Sequence, residues 1–299
     1  MVYGSASPVA SLAAFCADAA AEGWHERNGG NVSVRLDETQ AEAACAELGG
    51  TVPMRSFNLA WPVPLLADAW FLVTASGCFM RFVADAPTET IGLIRIADDG
   101  ASYSIAAGFA GGGKPTSELP SHLLVHQERS RALGAKEPGA VNHVVYHAHT
   151  PALIALSHCL PAESGAFTRT LWSTFTECPM FCPEGVGVVG FEIPGSIELA
   201  RKTAELARVH AAVMWALHGV LACGDSLGEV LGLVETLEKA ADIALRSGAA
   251  AGGAIGSAAE ADGGCSGGRM GCVNALGPVE LEALDDALGL GLNRSLLRA

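Results

Sequence analysis

Three histidines offer the chemistry most open to view in this sequence. His147 and His149 flank Ala148 at the end of the apolar run Val144-Val145-Tyr146, and Thr150-Pro151 follow. β-Formers running into a helix-start signal describe a strand that ends in a turn, with the pair at its rim. Side chains alternate across a strand, so residues two apart share a face, about 6.6 Å apart at the backbone. Two neutral imidazoles so placed can lean onto one divalent ion, and a zinc site with three protein ligands keeps a position open for substrate. The third ligand must come from elsewhere. His218 is the best candidate, because it too follows an apolar run, Trp215-Ala216-Leu217, and precedes a glycine. His143 lies four residues before His147, roughly 13 Å away on extended backbone, too far to share the ion. An isolated His-x-His describes two ordinary strand-end histidines equally well.

Other stretches carry weaker signals. Asn28-Gly29-Gly30-Asn31 joins backbone freedom to amide donors and reads either as an anion cradle or as a tight turn between helix and strand. Ala75-Ser76-Gly77 is a second small-residue turn with N–H and hydroxyl donors. Pro115-Thr116-Ser117-Glu118-Leu119-Pro120 opens a helix, with a hydroxyl at the cap and an acid in the first turn. Taken alone, Glu118 favours the helix dipole by roughly 0.3 to 1 kcal/mol. His122 and His126 lie one turn apart on that helix, but there is no His-Glu-x-x-His, and they read as helix-face or packing residues. Lys114 is the one lysine near these groups in sequence and carries little weight as a nucleophile.

The elements that must position these groups are predicted from periodicity. Residues 8–22 form an Ala-rich helix with Leu12, Phe15 and Ala19 at helical spacing, stopped at Gly23; residues 32–36 alternate as a strand. Residues 37–66, acidic and then Pro-punctuated, read as a surface excursion. Strands follow over 71–74, 91–97 and 102–109, the last two joined by Asp98-Asp99-Gly100. After the His-x-His strand, helices are expected over 151–159 and 167–175, and a short strand over 187–191. An amphipathic helix over 196–209 should bury Leu199, Leu206 and Val209, and a strand over 212–217 should deliver His218. Ser226-Leu227-Gly228-Glu229 is a capping box for a helix running to about 248. Residues 1–248 thus form one α/β domain. Residues 249–277 are Gly, Ala and Ser with little to bury, a linker or disordered loop, and a short Leu-rich helix closes residues 278–299.

Composition narrows the function classes. The 299 residues are half hydrophobic, ample for a core, yet hold no apolar run of membrane-spanning length and no basic-then-apolar leader. A soluble cytoplasmic protein follows, with no membrane partner. A net charge of −14 with scattered Lys and Arg leaves no basic stripe for nucleic acid. Nine cysteines without zinc-ribbon spacing, among them Cys16, Cys159 and Cys223 in apolar stretches, read as buried thiols of a reducing compartment; Cys178 and Cys182 read as structural.

Together these stretches resemble the class II aldolase/adducin family. The resemblance rests on Gly23-Trp24-His25-Glu26-Arg27-Asn28-Gly29-Gly30-Asn31, Pro115 to Pro120 as quoted, His147-Ala148-His149, Thr168-Arg169-Thr170-Leu171-Trp172 with Thr176-Glu177-Cys178, and His218-Gly219-Val220, in family order over roughly residues 10–248. It implies a single three-layer α/β/α domain with a mainly antiparallel central sheet, a cyclic homotetramer, and one Zn2+ per subunit held by His147, His149 and His218. It further implies Glu118 as the catalytic carboxylate, with Glu177 reaching a neighbouring subunit's site to exchange a proton with the substrate hydroxyl. Asn28, Gly30, Asn31, Ser76, Gly77 and Ser117 would hold the phosphate and the enediolate of a ketose 1-phosphate. The chemistry agrees: cleavage β to a carbonyl leaves negative charge that a Lewis acid stabilises, so no Schiff-base lysine is needed. Cys78 departs from the family pattern, standing where a Lys follows the Ser-Gly pair, and the tail is longer and more Gly-rich. The same fold carries pentulose-phosphate 4-epimerases, a dehydratase and adducin-like heads without metal; the three histidines and Glu118 argue against the last.

Overall fold

The computed structural model describes residues 3, 7–50, 55–137, 139–250 and 275–297. The first half lays down α1 (Pro8–Ala21), β1 (Asn31–Leu36), α2 (Glu38–Glu47), β2 (Arg55–Asn58), β3 (Trp70–Thr74), the single turn α3 (Pro87–Thr90), β4 (Ile91–Ile96) and β5 (Ser102–Gly108). The second adds α4 (Leu119–Lys136), β6 (Val144–Ala148), α5 (Pro151–Ser157), α6 (Ser164–Thr174), α7 (Glu177–Phe181), β7 (Val186–Val189), α8 (Ile197–Ala207), β8 (Ala212–Trp215), β9 (Gly219–Gly224), α9 (Leu227–Ala250) and α10 (Pro278–Leu288).

The strands form one nine-stranded sheet in the order β2-β5-β4-β3-β1-β6-β9-β8-β7. Every neighbouring pair is antiparallel except β7 with β8. Strand alternation sorts the apolar side chains to two faces. Val144, Tyr146 and Ala148 of β6, Val220 and Ala222 of β9 and Met214 of β8 face one core with α1, α5, α6 and α9. Val145, Leu221, Val213 and Trp215 face the other with α4 and α8. Helices on both faces make the three layers that the resemblance implies, with the sheet mostly antiparallel.

The helix starts are written locally. Ser7 caps α1 by accepting from the Ala10 N–H at 3.1 Å, Ser196 caps α8, and Ser226 accepts from the Glu229 N–H at 3.2 Å at the start of α9. Four expectations need correction. Residues 37–66 are not a mere surface excursion: Asp37 and Gln40 form a reciprocal capping box for α2, which buries Ala41 and Ala44, and β2 adds an exposed edge strand against β5. Glu118 occupies the N-cap position of α4 rather than its first turn and makes no side-chain cap bond. α8 ends at Ala207, which leaves Val209 half exposed beyond it. Cys159 is exposed, whereas Cys16, Cys178, Cys182 and Cys223 are buried thiols.

Most of the Gly-rich segment, residues 251–274, lies outside the described residues. Beyond it, α10 rests Leu281 on the same core that receives Leu292 and Leu297, and the Asp285 carboxylate accepts from the N–H groups of Gly291 and Leu292 and pairs with Arg294.

Candidate metal centre and active site

The sheet places the three histidines together. His147 is the penultimate residue of β6 and His149 lies just past its end, while β9 runs antiparallel beside it with His147 opposite Leu221 and Ala148 opposite Val220. His218 is carried not by a continuing strand, as the sequence suggests, but by the tight turn between β8 and β9. Leu217 in that turn has φ +66, a left-handed conformation costing about 1–2 kcal/mol for a residue with a Cβ, and its N–H is held by Ser157 Oγ at 2.9 Å. Gly219 lets the turn close on β6: a Cβ there would stand 2.3 Å from the Ala148 carbonyl oxygen and 2.9 Å from His147 Cε1.

One ring nitrogen from each histidine lies within 4.8 Å of the other two. His147 Nδ1–H donates to the Val220 carbonyl at 3.0 Å and His149 Nδ1–H to the Glu26 carboxylate at 2.7 Å, which assigns the lone pair to Nε2 in both rings. His147 Nε2 is fully buried with no hydrogen-bond partner among the described residues, a state that costs about 1–3 kcal/mol unless something accepts the lone pair. Burial, with the neighbouring rings, pushes the His147 imidazolium well below its ordinary range and brings His218 down to about 4. Three imidazoles with converging ring nitrogens, one of them an orphaned acceptor, fit a divalent metal ion.

Glu118 closes the fourth side. Its two carboxylate oxygens stand 3.7 Å from His147 Nε2 and 3.8 Å from His218 Nε2, and one accepts from Asn31 Nδ2 at 2.8 Å. Burial raises its pKa, an effect that the Asn31 bond opposes. The backbone N–H of Glu118 donates to Thr116 Oγ1, so the residue is fixed at the helix start with its carboxylate turned to the histidines.

A recess of about 310 Å³ opens in front of these groups. Asn28, Gly30, Asn31, Ser76, Gly77 and Ser117 line it together with Glu118, His149 and His218, and Arg27 is also part of its wall. Cys78, where a lysine was expected, instead packs half-buried against the apolar core, and Lys114 does not line the recess. Glu177 does not line it either: it is the first residue of α7, partly buried, and accepts from Thr176 Oγ1. A second, more open recess shares Glu26, His149 and His218 with the first and is walled by Pro151, Ile154, Ala155 and Leu217.

Sequence reasoning missed several supporting residues. His25, read only as part of a motif, lies buried under the Gly29-Gly30 turn, with Nδ1 on the Gly29 carbonyl at 3.0 Å and Nε2 on Tyr146 OH at 2.8 Å. Gly30, at φ +76, is the one residue type that fits above it, since a Cβ would meet the His25 ring at 2.2 Å. His122 and His126 are no packing residues but members of a buried hydrogen-bonded chain with Ser33. Alternation gave no signal here: Ser33 shares its parity with Asn31 and Arg35, the polar set of β1, and so reads as facing away from a core.

Comparison with known proteins agrees with this picture. A family model described as the class II aldolase and adducin N-terminal domain matches residues 10–245. The chain is 41% identical over 229 residues to the rhamnulose-1-phosphate aldolase of Klebsiella pneumoniae (strain 342), covering 77% of this chain and 80% of that protein. It is 40% identical over 229 residues to the enzyme of the same name from Escherichia coli O139:H28, covering 77% and 81%. Among solved structures it resembles a sugar-phosphate aldolase from Thermotoga maritima, with a TM-score of 0.66 and 31% identity over 81% of this chain and 95% of that one.

Proposed function

The chain belongs to the class II aldolase and adducin family, and from that premise we propose that it cleaves L-rhamnulose 1-phosphate to dihydroxyacetone phosphate and L-lactaldehyde, using a zinc ion held by His147, His149 and His218. It is an aldehyde-lyase of the metal-dependent class. One observation carries the substrate reading: His149, His218 and the buried Glu118 carboxylate line the same recess as the turns at Asn28 to Asn31 and Ser76-Gly77, and His147 completes the histidine cluster.

A bound zinc ion would supply Lewis-acid stabilisation where negative charge develops on the oxygens of the three-carbon fragment. The remaining work falls to the chain. The phosphate lies against the turns at Asn28 to Asn31 and Ser76-Gly77, with Ser117 and Arg27 beside it, so N–H groups, hydroxyls and one cation balance its charge. Glu118 carries the proton to and from the carbon next to the carbonyl, and its raised pKa suits a group that must both give and take it. The aldehyde fragment leaves past His149 and His218 into the second recess, where Ile154 and Leu217 meet its methyl group. Glu177, which does not line its own subunit's recess, acts on a neighbour's substrate in a homotetramer and exchanges the proton of the C4 hydroxyl. The same reading puts the enzyme in the cytoplasm, where its free thiols stay reduced.

L-Rhamnulose and L-fuculose 1-phosphates yield the same products and differ at C4, so zinc and phosphate contacts cannot choose between them. The choice falls to the group at the C4 hydroxyl, where a misplacement of about 1 Å costs on the order of 100-fold. Incubating the protein with each ketose 1-phosphate and with a pentulose 5-phosphate, and following dihydroxyacetone phosphate and epimerised product, tests the whole reading. Faster cleavage of the rhamnulose ester is expected. Faster cleavage of the fuculose ester overturns the substrate assignment, and epimerisation without cleavage overturns the reaction.

A further inference from the structure

Behind Glu118, on the α4 side of the sheet, Asn31, Ser33, His122, His126 and Asn142 are all buried and joined by hydrogen bonds. Ser33 and both histidines are 0% exposed, and nothing in the reaction described above uses them. Ser33 points inward from β1, and His122 and His126, one turn apart on α4, both reach its hydroxyl.

The donors in this chain can be assigned one by one, starting from the carboxylate. Ionised Glu118 only accepts, so Asn31 Nδ2 is the donor to it at 2.8 Å, and Asn31 Oδ1 therefore faces His122 Nε2. A carbonyl oxygen also only accepts, so Nε2 of His122 carries the hydrogen. Burial brings the pKa of His122 down to about 3, so its ring is neutral and its Nδ1 must accept, from Ser33 Oγ at 2.7 Å. Ser33 has one hydrogen and has given it, so at 2.9 Å it accepts from His126 Nε2–H. His126 Nδ1 then accepts from Asn142 Nδ2 at 3.1 Å and, without a hydrogen, makes no bond to the Asn142 backbone carbonyl oxygen at the same distance; the other hydrogen of that amide goes to the Val144 carbonyl at 3.0 Å. Every hydrogen from Asn142 to Asn31 points toward Glu118. In such a chain each bond polarises the next.

We propose that this oriented chain is part of the catalytic apparatus, with Ser33, His122 and His126 as positioning residues that hold the Glu118 carboxylate in place. The inference rests on the reading of Glu118 as the proton carrier. Asn31 makes the single side-chain hydrogen bond to that carboxylate among the described residues, since the histidine nitrogens at 3.7 and 3.8 Å are beyond bonding distance. An asparagine amide is nearly symmetric in shape, so nothing steric prevents it from turning over and presenting oxygen to the carboxylate. His122 Nε2–H prevents it, because a flipped amide would set N–H against N–H. Ser33 in turn holds the His122 tautomer, and His126 holds Ser33. A purely apolar layer would fill the space more cheaply than two buried imidazoles and a hydroxyl, but it could not fix the amide.

The test uses the metal-loaded protein and the exchange of the carbon-bound proton of dihydroxyacetone phosphate with deuterated solvent. Ser33→Ala should lower kcat for exchange and for cleavage about ten-fold, the equivalent of one lost buried hydrogen bond, while KM and bound metal stay within about two-fold. Ser33→Thr, which keeps the hydroxyl, should restore the rate. In a Glu118→Gln background, Ser33→Ala should change the residual rate by less than about two-fold, because the effect passes through the carboxylate. A full wild-type rate in Ser33→Ala, or an equal loss with and without Glu118, overturns the proposal and reduces the chain to packing. Should Ser33→Ala fail to fold, ring-15N spectra of the wild-type protein decide: His122 and His126 must both be neutral with the hydrogen on Nε2, and a hydrogen on Nδ1 of His122 overturns the assignment. If Glu118→Gln alone retains wild-type exchange, the reading of Glu118 fails instead, an outcome distinct from failure of the chain.

Discussion

Replacing Gly219 by alanine should disable the metal centre without touching any of its ligands. The backbone of Gly219 is not in the left-handed region, so the substitution is not strained by φ; the obstacle is space alone. An added Cβ would lie 2.3 Å from the Ala148 carbonyl oxygen, about 1 Å inside the ~3.3 Å at which carbon and oxygen touch. That oxygen belongs to β6 and cannot rotate away, and Cε1 of the His147 ring blocks the other side at 2.9 Å. The β8–β9 turn must therefore back off by about 1 Å, carrying His218 with it, whereas metal–ligand distances tolerate only about 0.2 Å. Metal affinity should fall on the order of 100-fold, with a loss of about 1–3 kcal/mol in stability from overpacking. The assay is competition for zinc against a chelator of known affinity, with thermal unfolding followed with and without metal. Gly232→Ala is the control, since nothing lies within 4 Å of that position in α9 and alanine there should be neutral or slightly stabilising. Wild-type zinc affinity in Gly219→Ala would refute the argument that this glycine sets the approach of His218.

Further outcomes follow from the same geometry. Dialysis against a chelator should abolish cleavage and added zinc should restore it, because three histidines leave the ion exchangeable at an open site; full activity in metal-free protein would sink the scheme. Glu118→Gln should keep bound zinc but lose carbon-proton exchange, and a mutant that exchanges normally would demote Glu118 to a helix-start residue. Mixing inactive Glu118→Gln subunits with Glu177→Ala subunits should regain activity if Glu177 works on a neighbour's site; no regain in verified mixed oligomers counts against that role. Acidification should destabilise the fold: His25, brought down to about 4 by burial, is neutral when folded yet protonates near 6.5 when unfolded, so its contribution is intact above pH 6.5 and is lost as pH falls toward 4. The expected loss is on the order of 2 kcal/mol by pH 5, and His25→Gln should flatten the fall in Tm between pH 7 and 5; an unchanged slope removes His25 from the account.

The elements that can be read from sequence are those whose reasons are local. The capping box of α2, the serine caps of α1, α8 and α9 and the apolar run of β6 each lie within a few residues, although the box at Asp37 and Gln40 was overshadowed by the acidic composition around it, and β9 was not read as a strand at all. The histidines were legible because the same punctuation, an apolar run and then a turn, recurs at 147–149 and at 218. What stayed hidden depends on partners far apart in the chain. Ser33 meets His122 and His126 across 89 and 93 positions, and His25 meets Tyr146 across 121, so no local pattern marks any of them as more than a packed polar residue. Cys159 sits in an apolar stretch yet is exposed, because α5 ends at Ser157 and the chain has already turned outward.

The register of three strands joins these local and distant signals. β6 lies between β1 and β9, and its pairing sets Asn31 opposite His147 on one side and Leu221 opposite His147 on the other. A slip of one residue would send His147 to the opposite face and Tyr146 into the site. Burial of both faces forbids that slip: Val144, Tyr146 and Ala148 are matched to one core, Val145 to the other, and every residue of the strand is buried. His147 thus rides on a strand whose register is fixed by apolar residues with no chemistry of their own. The same pairing puts Asn31 within reach of Glu118, so the positions of the Glu118 carboxylate and of His147 follow from one hydrophobic alternation.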